Sequence, residues 1–105
     1  MTEPRRGEIW WGEFEDVGRR PFLVMTRTAA IPVLNSVIAA PVTRTIRDIP
    51  TELRLGTSDG MPTDCVASFD NLRVVAKAYL VERQCALDPL RLADACEALR
   101  VAVDC

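Results

Sequence analysis

Helical periodicity in this 105-residue chain is confined to its last stretch. Asp88 suits an N-cap and Pro89 suits the first helical position. Leu92, Cys96, Leu99 and Val103 then recur at helical spacing, which places them on one face of an amphipathic helix. Everything before Asp88 is written as short runs of β-formers broken by Gly, Pro and polar turns. Gly7 to Phe14 (GEIWWGEF) reads as a strand, and Glu15 to Arg19 as a short turn containing Gly18. Pro21 to Thr26 (PFLVMT) is nearly all apolar, as in a strand buried on both faces. Ser36 to Thr43 (SVIAAPVT) is a third strand, in which Pro41 implies an edge or a bulge. Thr51 to Leu55 alternates and predicts a half-exposed strand. Cys65 to Ala76 is one long strand or two joined at Asp70-Asn71, and Tyr79 to Leu87 adds another. Thr28 to Leu34, Arg44 to Pro50 and Gly56 to Asp64 read as loops. The expected fold is mainly β: a single domain over residues 1–105, a small barrel of about five to seven short strands, with the helix closing one side.

Composition narrows the function classes. No apolar run approaches the ~18 residues of a membrane span. The charged opening Met1-Thr2-Glu3-Pro4-Arg5-Arg6 is not followed by an apolar stretch, so no signal peptide is expected and the location should be cytoplasmic. Cys65, Cys85, Cys96 and Cys105 never fall at CxxC spacing, and the chain has no His. No metal site and no cofactor are expected, and the cysteines read as small buried hydrophobes or free thiols. Net charge is −2, yet its distribution is polarised. Between positions 19 and 47 lie Arg19, Arg20, Arg27, Arg44 and Arg47 with no acidic residue, whereas the half from Ser58 onward is net acidic. Such a chain can present a local anion-binding face despite its overall sign.

Four stretches, taken in order, resemble the MazF/PemK family of ribonuclease toxins. Arg6-Gly7-Glu8-Ile9-Trp10-Trp11 is similar to the family's opening strand, and Arg19-Arg20-Pro21-Phe22-Leu23-Val24-Met25 to its Arg-Pro-apolar second strand. Ser36 to Thr43 resembles the third strand, which ends in Thr. Asp64 to Arg73 resembles the segment where an acidic residue precedes Asn or Gln. The C-terminal helix also fits. Two departures stand out: the first turn is shorter than in relatives, and Ser68 stands where some of them have Arg. The resemblance implies an SH3-like barrel, a homodimer, a cognate antitoxin as partner, and metal-independent cleavage of single-stranded RNA within a short sequence motif. The products would be a 2′,3′-cyclic phosphate and a 5′-OH.

RNA carries its own nucleophile, the 2′-OH, so such an enzyme needs a base, an acid and positive charge on the phosphorane. A His pair is excluded because the chain has none, and the acids are too scattered for a two-metal site. An Arg with a hydroxyl remains. The resemblance maps the catalytic Arg onto Arg20 and the catalytic Thr onto Thr43. Asp70, Glu15 and Asp16 are candidates for acid/base work or RNA positioning. Arg19, Arg27, Arg44, Arg47 and Ser68 are candidates for contacting RNA. Trp10 and Trp11 point to opposite faces of a strand, one into the core and the other free to stack a base or meet a partner. Two rival readings use the same barrel. One is a non-enzymatic gyrase poison of the CcdB type, although the ending Ala102-Val103-Asp104-Cys105 lacks the aromatic such proteins carry. The other is an inactive relative that only binds RNA or a partner.

Overall fold

A computed structural model describes residues 3–105. Seven strands run in chain order: β1 (Glu8–Phe14), β2 (Gly18–Val24), β3 (Ser36–Thr43), β4 (Glu52–Leu55), β5 (Cys65–Ser68), β6 (Arg73–Ala76) and β7 (Leu80–Ala86). A single α-helix among the described residues, α1 (Pro89–Val103), follows. The strands form one antiparallel sheet in the order β4-β5-β3-β2-β1-β7, with β6 alongside β3. Fold class and element order therefore follow the sequence reading, with α1 capped by the Asp88 side chain accepting from the Arg91 N–H.

Burial alternates along the strands and divides the core in two. Ile9, Leu23, Ala40, Val42, Leu53, Leu55 and Phe69 form one cluster, against which Leu92, Cys96 and Leu99 of α1 pack. Trp10, Phe22, Val24, Val37, Val75 and Leu80 form the other. Successive residues of β1 and β2 enter opposite clusters, as the two-residue period of a strand requires. Arg91 ties α1 to the Gly56–Asp64 loop between β4 and β5, its Nε donating to Asp59 Oδ1 at 2.8 Å.

Four details depart from the sequence reading or resolve it. β2 begins at Gly18, so the first turn contracts to residues 15–17 and Arg19 and Arg20 become strand residues opposite Glu13 and Gly12. Gly18 makes this possible with φ +77, a conformation that side-chain-bearing residues rarely adopt. Pro41 is neither at a sheet edge nor in a bulge. β3 is central, pairing with β2 on one side and with β6 then β5 on the other. Pro41 sits where that second side changes partner, between Ala39↔Arg73 and Val42↔Ala67, so its missing N–H falls in a gap of the ladder. The Cys65 to Ala76 run is two strands, separated by a 3₁₀ turn at Phe69–Asn71. Val103 is 51% exposed, and the buried centre of α1 is Ala95 and Ala98, whose small side chains admit close approach.

Gly60 is the backbone's tightest point. Its φ is +98, and a Cβ there would lie 2.7 Å from the Cys85 Cβ. Gly60→Ala is expected to destabilise the fold by about 1–3 kcal/mol, read as a lowered urea midpoint with an unchanged slope.

Candidate active site

β2 and β3 stop pairing at Phe22↔Pro41. Two residues further along the same register, Arg20 lies level with Thr43. Beyond this point the chain opens a groove of ≈ 640 Å³. Its walls are Arg19, Arg20 and Pro21 of β2, then Thr43, Arg44 and Thr45 at the end of β3. Trp11 of β1 and Met61, Pro62 and Thr63 of the Gly56–Asp64 loop complete it, with Cys65 and Val42 also contributing. Three arginines and three threonines line it, and among the described residues no carboxylate does.

The two neighbouring arginines differ in their commitments. Arg19 bonds Glu13 Oε1 at 3.2 Å, pairs with Glu82, and lies 5.1 Å over the Trp11 ring. Arg20 is exposed and has no acidic partner among the described residues. Its guanidinium keeps all of its donors for an incoming anion. The Thr43 hydroxyl oxygen accepts from the Thr45 N–H at 3.1 Å, which leaves its own O–H to donate.

Trp11 is the outward partner of the Trp pair, and Trp10 is the buried one at 6% exposure. β7 shifts register by one residue between its pairings with Ile9 and Trp10, so Gln84 bulges out of the ladder. Its Oε1 accepts from Trp11 Nε1 at 2.9 Å, and its Nε2 donates to the Gly60 carbonyl at 3.0 Å. One side chain thus fixes both the aromatic wall of the groove and the loop that brings Thr63 to it. Cys65, itself buried, also lines the groove. Burial, then the Asp59 and Asp64 carboxylates, push its pKa up, so it stays protonated and is a poor nucleophile at neutral pH.

The structure gathers Arg19, Arg20, Thr43 and Arg44 from the residues nominated by sequence. The others lie elsewhere. Glu15 and Asp16 line a separate hollow of ≈ 520 Å³ with Phe14, Arg73 and Tyr79. Asp70 accepts from the Thr51 hydroxyl at 2.6 Å. Ser68 is buried at 6% exposure, its Oγ accepting from Asn71 Nδ2 at 2.8 Å. Arg27 and Arg47 are exposed but outside the groove lining. Thr45, Thr63 and Gln84 were not legible beforehand: two stand in loops, and the third depends on a bulge that no sequence pattern marks.

A model of the PemK-like, MazF-like toxins of type II toxin–antitoxin systems matches residues 5–103. The chain belongs to that family. Among curated relatives of this toxin is the probable endoribonuclease MazF5 of Mycobacterium tuberculosis, 44% identical over 97% of this chain and 94% of its own. The probable endoribonuclease MazF2 of the same organism is 36% identical over 96% of this chain and 99% of its own. Among solved structures, a mycobacterial endoribonuclease in complex with its cognate antitoxin superposes on the toxin with TM-score 0.86. It is 28% identical and covers 96% of this chain and 95% of its own. The fold is therefore that of a family of toxins whose named relatives include probable endoribonucleases.

Proposed function

We propose that this toxin is a metal-independent, sequence-specific endoribonuclease acting on single-stranded RNA, with Arg20 and Thr43 at the reacting phosphate. The observation that carries the reading is the pairing of an uncommitted guanidinium with a threonine hydroxyl free to donate, level with one another in one basic groove. The substrate's 2′-oxygen bonds to phosphorus, the P–O5′ bond breaks, the 2′ proton passes to solvent water and the departing 5′ oxygen takes one up from water. Negative charge gathers on the phosphoryl oxygens along the way. Arg20 meets that charge with its planar set of donors, and Thr43 adds a hydrogen bond. Arg is strongly basic, which suits it to stabilising charge rather than transferring a proton.

Around this centre Arg44 tracks the backbone, while Trp11, its indole N–H held by Gln84 and its ring beneath Arg19, forms a fixed aromatic wall beside the bound strand. With neither His in the chain nor a carboxylate in the groove lining, the rate enhancement rests on electrostatics and positioning. The relatives' antitoxin complexes support a cognate antitoxin as this toxin's partner, and an acidic segment would complement the arginines. The working unit is a homodimer of single-domain subunits in the cytoplasm. Among the described residues no helix is long and apolar enough to cross a membrane.

The purified, antitoxin-free protein incubated with a long single-stranded RNA in EDTA is expected to yield discrete fragments with 5′-OH ends. Intact RNA under those conditions, with cleavage restored by added divalent ions, would replace this mechanism with a metal-dependent one. Intact RNA with or without ions would leave a binding role only.

A further inference from the structure

The loop of residues 44–50 starts in the groove with Arg44 and returns through Arg47 to β4. It is short, carries Arg44 and Arg47 against the single acid Asp48, and is fastened to the barrel at several points. Thr43 Oγ1 accepts from the Thr45 N–H at one end, and the Thr51 hydroxyl donates to Asp70 Oδ2 at the other. Between them one oxygen does most of the holding. Glu52 Oε1 accepts from the Arg47 N–H at 3.0 Å and from the Asp48 N–H at 3.2 Å, while the Glu52 N–H donates to the Ile49 carbonyl at 3.0 Å. Asp48 has φ +59, a left-handed conformation that an acidic residue tolerates better than most but does not prefer. Two successive amides aimed at one anion form a nest, and here the anion is the chain's own carboxylate. Glu52 has no cationic partner among the described residues, so its charge serves the loop. It stands on β4 opposite Ser68, on a strand paired to the sheet rather than on the loop itself.

We infer that Glu52 is a positioning residue for RNA recognition, holding the basic loop in the one conformation that presents Arg44 and Arg47 to nucleotides flanking the cut. The inference rests on the nuclease reading of the groove. It also reassigns Asp70, which the same network uses to anchor Thr51. Glu52 touches no reacting atom in this scheme. Its loss should therefore weaken substrate binding and blur the cleavage motif while the chemical step continues.

The test compares wild type, Glu52→Ala and Glu52→Gln on a long single-stranded RNA, with fragment ends mapped and KM and kcat separated on a short cleaved segment. Amide hydrogen exchange at Arg47 and Asp48 is followed by NMR on the same proteins. Glu52→Ala is expected to lose protection at both amides, to raise KM about tenfold with kcat within about threefold, and to cut at additional sites. Glu52→Gln keeps an acceptor oxygen and should restore the wild-type fragment map. Lost amide protection with unchanged KM and fragment map would overturn the inference and leave the nuclease reading intact. So would a fall in kcat alone. Wild-type protein that cuts no RNA would overturn the nuclease reading and the inference together, whatever the exchange data show.

Discussion

Arg20→Ala is expected to reduce RNA cleavage by about 10²–10³-fold, the usual cost of removing one preorganised charge-stabilising donor. The loss should fall on kcat more than on KM, because the contact strengthens as charge builds on the phosphate. Arg19→Ala provides the internal comparison. Arg19 is already engaged by Glu13, Glu82 and the Trp11 face, so removing it should weaken substrate binding with a smaller effect on the chemical step. Arg20 is exposed and unpaired among the described residues, so its removal leaves no buried charge behind, and the variant's circular dichroism and unfolding midpoint should match wild type. A folded Arg20→Ala protein that cuts at the wild-type rate would remove Arg20 from the chemistry. If Arg19→Ala proved the more damaging in kcat, the roles of the two neighbours would be exchanged.

Phe22→Ala should cost about 3–5 kcal/mol of stability. Phe22 is 1% exposed and sits at the middle of the second core cluster, opposite both Trp10 and Pro41. The Phe14 ring meets it edge-on with centroids 5.6 Å apart. Truncation would empty a space bounded by paired strands on both sides, where the backbone has little freedom to collapse. A domain of this length has a total of roughly 5–15 kcal/mol to lose, so the variant should approach unfolding at physiological temperature. Denaturant titration measures this directly, and a loss below 1 kcal/mol would mean that the cluster repacks around the gap. Because Phe22 lies two residues from Arg20 on β2, a folded remnant should also lose activity through misplacement of the guanidinium.

The barrel and its closing helix were legible because the pattern is local: strand-forming runs, Gly and Pro at the breaks, and one capped stretch with helical spacing. Which strand pairs with which is not local, and the misreadings lie there. Pro41 implied an edge because proline interrupts a ladder, but a central strand that changes partners provides its own interruption. Val103 completed a helical stripe on paper, yet Ala95 and Ala98 allow the closest approach and rotate the buried face toward themselves. The site divided in the same way. Arg20 and Thr43 stand in register across two strands and could be nominated from their stretches. Asp70 and Ser68 carry suitable chemistry in the sequence, but in the fold each meets a local partner, Thr51 or Asn71. Gln84 had no signal at all, since its role comes from a one-residue shift between β1 and β7.

The pairing of β1 with β7 joins a strand that begins at Glu8 to one that ends at Ala86. β2, which carries Arg19 and Arg20, takes its other neighbour from β1, so the groove rests on a sheet whose far edge is made late. During synthesis the growing chain holds β1 and β2 long before β7 leaves the ribosome, and until then one side of β1 is an unsatisfied edge. Trp11 has no Gln84 to hold it, and the Gly60 loop has nothing to dock against. A nascent chain is thus without its finished groove until β7 and its Gln84 have left the ribosome.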